Sequence, residues 1–129
     1  MTLTADTHKN ISPELVGKID SLEHGKAVVN LPTVQEMVAD EYGLIHGGFI
    51  FGLADYAAML AVNEPTVVLG SAETSFLAPV KVKDVAQATA IVVKESGKKR
   101  EVECMVKVGN KIVFKGLFTC FVVEKHVLS

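Results

Sequence analysis

The sequence carries almost no net charge, few cysteines, and no apolar stretch long enough for a bilayer. Among 129 residues, 13 Lys and Arg stand against 15 Asp and Glu, a formal charge of −2. Without a basic excess there is no electrostatic footprint for a nucleic-acid partner. The longest apolar run, Phe49 to Val62, is shorter than the ~20 residues a spanning helix needs, and Asp55 interrupts it. No membrane association is expected. The segment Met1 to His8 lacks the basic-then-apolar order of a secretory leader, so a cytoplasmic location is expected. Cys104 and Cys120 are the only cysteines, with no CxxC spacing. Buried free thiols on neighbouring strands are expected rather than a disulfide or a metal site. No repeat, low-complexity tract or long linker divides the chain.

What is present is a globular composition, 49% hydrophobic and 22% charged, in a length that one domain fills. Residues 1–13 read as a loose N-terminal arm closed by Pro13, and 14–129 as a single domain. Leu15 to Leu22 and Lys26 to Leu31 read as two strands joined at Glu23-His24-Gly25. Thr33 to Ala39 fits a short helical turn, with Thr33 as N-cap and Glu36 three residues on.

The pattern then changes. From Gly47 to Val62 the chain is rich in Ala, Leu and Met, which favours helix, and Asn63-Glu64-Pro65 ends it. This helix is apolar nearly all round and must be covered on most sides. Four strand-like runs follow: Thr66 to Val80, Asp84 to Glu95, Lys99 to Val108 and Lys111 to Val123. Their short separators suit antiparallel connections. Ala86, Ala88, Ala90 and Val92 alternate with Gln87, Thr89 and Ile91, giving a sheet with one covered face and one wetter face. The small alanines suit the close approach of a helix. The class is α+β, one long central helix wrapped by an antiparallel sheet of five to six strands.

Once helix and sheet are placed, His46-Gly47-Gly48-Phe49-Ile50-Phe51-Gly52-Leu53-Ala54-Asp55 stands out. It resembles the signature of hotdog-fold acyl-CoA thioesterases of the phenylacetate-degradation type. The similarity continues through Tyr56-Ala57-Ala58 to Asn63 and through Thr74-Ser75-Phe76-Leu77-Ala78-Pro79-Val80. The resemblance implies a hotdog fold and thioester hydrolysis, with coenzyme A entering only as part of the substrate and no further cofactor or metal. It also implies a homodimer, which in this fold often pairs again into a homotetramer.

Thioester hydrolysis needs a donor for the carbonyl oxygen and a carboxylate that attacks or activates water. Gly47 and Gly48 open the long helix, where backbone N–H groups and the helix dipole meet a developing oxyanion. By resemblance, Gly47 supplies that donor, Asp55 is the base or nucleophile, and His46 orients the site. Gly47 and Asp55 are eight residues apart, ~12 Å along a helix at 1.5 Å per residue. One carbonyl cannot touch both. Donor and carboxylate must therefore come from different subunits, giving two equal sites per dimer.

Many relatives carry an amide six residues before the His, where this chain has Asp40, followed by Glu41. An ionised carboxylate cannot donate the amide's hydrogen bond. Lys99 and Arg100, with Lys81, Lys83 and Lys98, are candidates for the phosphates of coenzyme A. Pocket depth turns on which of Phe49, Tyr56, Met59 and Phe76 point inward. Two other functions stay open: a non-catalytic acyl-CoA-binding or sensor domain, which Asp40 favours, and a hotdog enoyl-CoA hydratase. The hydratase pairs an Asp with a His about five residues on, a spacing that Asp40 and Glu41 meet only loosely.

Overall fold

The apolar run after His46 folds as the long helix α2, Gly47–Val62, in the computed structural model, which describes residues 3–129. Its Ile50, Leu53, Ala54 and every residue from Tyr56 to Ala61 are buried. The helix stops because Asn63 adopts the left-handed conformation (φ 52°), its N–H bonding Met59 O, and Pro65 follows. Gly48, Phe51, Gly52 and Asp55, at three- and four-residue spacing, form an open to partly open stripe, and Gly47, Phe49 and Val62 near the helix ends are also partly open.

Six antiparallel strands curl round this helix: β1 Lys18–Glu23, β2 Lys26–Pro32, β3 Val67–Phe76, β4 Val85–Ser96, β5 Lys99–Val108 and β6 Lys111–Val122. Their order is β1-β2-β4-β5-β6-β3, which leaves β1 and β3 at the edges. The architecture is the hotdog fold. Ala86, Ala88 and Ala90 of β4 are fully buried, because methyl groups let the sheet approach α2 closely. Gln87, Glu103 and Lys107 face the other way. Cys104 and Cys120 are buried free thiols on the neighbouring strands β5 and β6.

Four local expectations are corrected. Leu15 and Val16 are not strand but lie in a single helical turn, α1 Pro13–Val16, started by Pro13 and stopped at Gly17 (φ 118°). The N-terminal segment is not loose where it is described. Leu3 N–H bonds Leu22 O, Asp6 N–H bonds Asn63 Oδ1, and Asn63 Nδ2 donates to Thr4 O. Thr33 caps no helix; a 3₁₀ turn at Gln35–Met37 follows, and the Thr33 hydroxyl donates to Asp84 O at 2.7 Å instead. The third strand ends at Phe76 rather than Val80: the Leu77 and Ala78 N–H groups both turn onto Val113 O, which breaks the ladder, and Pro79 has no N–H with which to resume it.

Candidate active site

The site begins at the helix N-terminus, where four N–H groups have no partner inside the helix. His46 is the N-cap, and its Nδ1 accepts the Gly48 N–H at 2.8 Å. An accepting Nδ1 leaves the ring proton of neutral His46 on Nε2. Gly48 is thereby committed to the cap. A Cβ on Gly48 would lie 2.8 Å from His46 Nδ1, so glycine is what lets the ring sit there. Phe49 N–H bonds His46 O. The Gly47 N–H has no partner among the described residues. Of the two glycines, Gly47 carries the free donor.

Phe76 packs against Gly47. A Cβ on Gly47 would meet Phe76 Cε1 at 3.0 Å, and the Phe76 ring packs edge-on against Phe114 with centroids 5.1 Å apart. Phe76 is 57% exposed, a large aromatic held at the mouth of a cleft. The cleft has a volume of about 360 Å³ and is walled by Ile50, Phe76, Ala78, Pro79 and Val113 beside Gly47. Of the four side chains expected to set pocket depth, Tyr56 and Met59 are buried in the core, Phe49 is half-buried, and Phe76 faces this cleft.

Asp55 lies two turns further along α2. Its Oδ1 is buried and accepts no hydrogen bond among the described residues. Burial pushes its carboxyl up to about 6. It lies close enough to Cys104 and Cys120 to add to the burial that drives both thiols up to about 12. Neither cysteine is a nucleophile under those conditions. An unpaired carboxylate in so apolar a helix costs stability, and such costs concentrate where a group has work to do.

Asp40 is used locally. Its Oδ1 accepts from Tyr42 N at 2.9 Å and from Leu44 N at 3.2 Å, fixing the loop that delivers His46 to the helix. An amide oxygen could accept the same two bonds, so the carboxylate preserves the turn and lacks only the amide's donor.

Lys99 and Arg100 are not brought to Gly47 within one chain. They pair with Phe121 and Cys120, whereas Phe76 beside Gly47 pairs with Phe114. Six residues of strand separate those levels, ~20 Å at ~3.3 Å per residue. Arg100 also closes its own hairpin, with Nη1 donating to Gly97 O at 2.7 Å and Nε 3.5 Å from Glu95 Oε1. Sequence reasoning missed the His46–Gly48 cap and the packing of Phe76 against Gly47. The first was legible in principle, since a polar residue before a glycine pair at a helix start is a cap signal. The second joins residues 29 positions apart and had no local signal.

Residues 42–114 match the family described as the thioesterase superfamily, and that span holds His46, Gly47, Gly48, Phe76 and Asp55. The chain belongs to the thioesterase superfamily. It is 48% identical over 119 residues to a methylthioribose-1-phosphate isomerase of Aquifex aeolicus, covering 92% of this chain but 26% of that protein. It is 32% identical over 121 residues to the transcription factor FapR of Caldanaerobacter subterraneus, covering 92% of this chain and 60% of the relative. The chain therefore spans less than two thirds of either curated relative. Among solved structures, an uncharacterized protein from Pyrococcus horikoshii superposes with a TM-score of 0.98 at 53% identity, covering 100% and 99% of the two chains. PaaI from the phenylacetic acid degradation operon of E. coli superposes with a TM-score of 0.80 at 25% identity, covering 87% of this chain and 83% of its own. The superfamily member thus has relatives with both enzyme and regulator names.

Proposed function

We propose that this chain is an acyl-CoA thioester hydrolase working as a homodimer with two shared sites. The observation that carries the reading is the orphaned, buried Oδ1 of Asp55 on the partly open stripe of α2. A half-buried carboxylate with no donor for its inner oxygen among the described residues is held ready for a partner that a second copy or a substrate brings.

The edge strand β3 offers a way to bring two copies together. Antiparallel pairing of two β3 strands over their full length would set Phe76 of one copy level with Val67 of the other. Within each chain, Leu69 is level with Cys120, whose thiol feels Asp55. Gly47, beside Phe76, would then face the Asp55 of the second copy. Lys99 and Arg100 of that copy would come to the same end. In this arrangement the Gly47 N–H holds the thioester oxygen as charge grows on it. Ionised Asp55 attacks the carbonyl or takes a proton from the water that does. The C–S bond breaks, coenzyme A leaves as its thiol, and water supplies the hydroxyl of the acid.

A second reading has a specific observation behind it. Asp40 supplies no amide donor, and a FapR transcription factor is among the relatives. A domain that binds acyl-CoA without cleaving it fits both. A panel of acyl-CoA esters with free-thiol detection separates the two: release abolished by Asp55→Ala supports hydrolysis, and no release from any ester supports the binding domain. Loss of enoyl-CoA absorbance without thiol release would instead indicate hydration.

A further inference from the structure

We infer that the cleft beside Gly47 receives the acyl group, and that it selects an uncharged, apolar acyl chain over a carboxylated one. The inference rests on the hydrolytic reading and names the substrate class of that same site.

The walls decide it. Ile50, Phe76, Ala78, Pro79 and Val113 place carbon against the space, and no charged side chain lines it. Several backbone donors beside it are already occupied. Leu77 and Ala78 N–H groups are both spent on Val113 O, Ile45 N–H on Val80 O and Leu44 N–H on Asp40 Oδ1. Pro79 has no N–H to give. The pantetheine arm of coenzyme A carries two amides that would find no polar side chain in this cleft, and a buried unpaired amide is costly. A hydrocarbon chain loses nothing there. The Gly47 N–H at the wall is the free donor, and a thioester oxygen seated on it leaves the acyl chain on the apolar side.

Size sets a second limit. The volume of about 360 Å³ sits at the lower end of the ~300–1,000 Å³ usual for ligand pockets. It is also more than twice the ~150 Å³ that encloses one benzene ring. An acyl group with the bulk of a single aromatic ring, or a six-carbon chain, fits that space. An ω-carboxylate on the same chain would meet only carbon from these walls, while Lys99 and Arg100 of the second copy, at this end in the proposed dimer, are engaged by the phosphates of coenzyme A.

The test compares hexanoyl-CoA with adipoyl-CoA, which has the same chain length and a terminal carboxylate. We expect kcat/KM to favour hexanoyl-CoA by on the order of 100-fold. Ala78→Phe, which fills the cleft, should cost about tenfold more on hexanoyl-CoA than on propionyl-CoA. Phe76→Ala, at an exposed position that threatens folding less, should shift the preferred chain length upward. Equal rates on the two esters, or variants that affect all chain lengths alike, would overturn the inference while leaving hydrolysis intact. Binding of the non-hydrolysable thioether analogues of both esters supplies the separate readout. Should no ester be cleaved, the same preference in binding supports the apolar cleft and removes the hydrolytic reading. A preference lost or reversed in binding overturns the cleft assignment.

Discussion

The 2.8 Å hydrogen bond from the Gly48 N–H to His46 Nδ1 divides two adjacent glycines between two tasks. Gly48 closes the helix cap, while the Gly47 N–H has no partner among the described residues and is the donor we propose for the substrate. His46 fixes the first turn of α2, and we propose that it positions the site rather than transferring protons.

That division can be checked on stability. His46→Ala should cost about 1 kcal/mol through loss of the cap, and His46→Asn, whose side chain caps well, should recover most of it. Thermal unfolding of the two variants reads the difference. Equal melting temperatures would remove the cap role.

Gly47→Pro read against Gly47→Ala isolates the donor, since both add the Cβ that meets Phe76 Cε1 at 3.0 Å and only proline lacks the N–H. Proline is tolerated at the first helical position because its missing N–H is one the helix does not use. The extended backbone of His46 (φ −61°, ψ 132°) suits a following proline. Turnover should fall on the order of 100- to 1000-fold with the fold intact by circular dichroism. A variant with unchanged turnover would move the oxyanion donor elsewhere.

The carboxyl of Asp55, raised to about 6, gives a pH dependence with a defined sign. Activity that needs the ionised form should rise with pH and level off above a midpoint near 6. Stability should move the opposite way. A folded-state value above the unfolded one favours the protonated fold, so that contribution is full below the ordinary value of 3.8 and is lost as pH rises through about 6. Asp55→Asn should therefore abolish turnover and raise the melting temperature more at pH ~8 than at pH ~4. A uniform gain at both pH values would contradict the buried-carboxylate account.

Much of this was legible before any coordinates. The limits of α2 follow from Ala, Leu and Met propensity ended by Asn63-Glu64-Pro65, and its apolarity on every side required a sheet around it. The alternation of Ala86, Ala88 and Ala90 with Gln87 and Thr89 fixed which face of β4 packs on the helix. The misreadings share a cause. Thr33 and Glu36 meet a capping pattern, but the Thr33 N–H and hydroxyl both donate to the distant Asp84 carbonyl, which holds Thr33 in the sheet connection, and the short turn starts two residues later at Gln35. Leu15 and Val16 have strand-like side chains, yet Pro13 and Gly17 bracket them into one helical turn. At the site, residue types were readable and pairings were not. The chain fragment around Asp40 shows a carboxylate where an amide is usual, but only the loop's bonds to Tyr42 and Leu44 show what it does there.

Asp40→Asn should keep those two bonds and add a donor. We expect an unchanged melting temperature and turnover higher by about tenfold, the scale of one added hydrogen bond. Asp40→Ala should lower stability by about 1 kcal/mol through loss of the turn. Turnover that falls in Asp40→Asn would mean that the charge itself serves the reaction.

The central claim is that each site draws Gly47 from one chain and Asp55 from another. Gly47→Pro and Asp55→Ala chains, each inactive alone, should be unfolded together, refolded and assayed for thiol release. Random pairing makes about half the dimers mixed, and each mixed dimer holds one intact site of two. The account predicts recovery of about one quarter of wild-type activity. A mixture that stays inactive, although mixed dimers are present by native mass spectrometry, would contradict it.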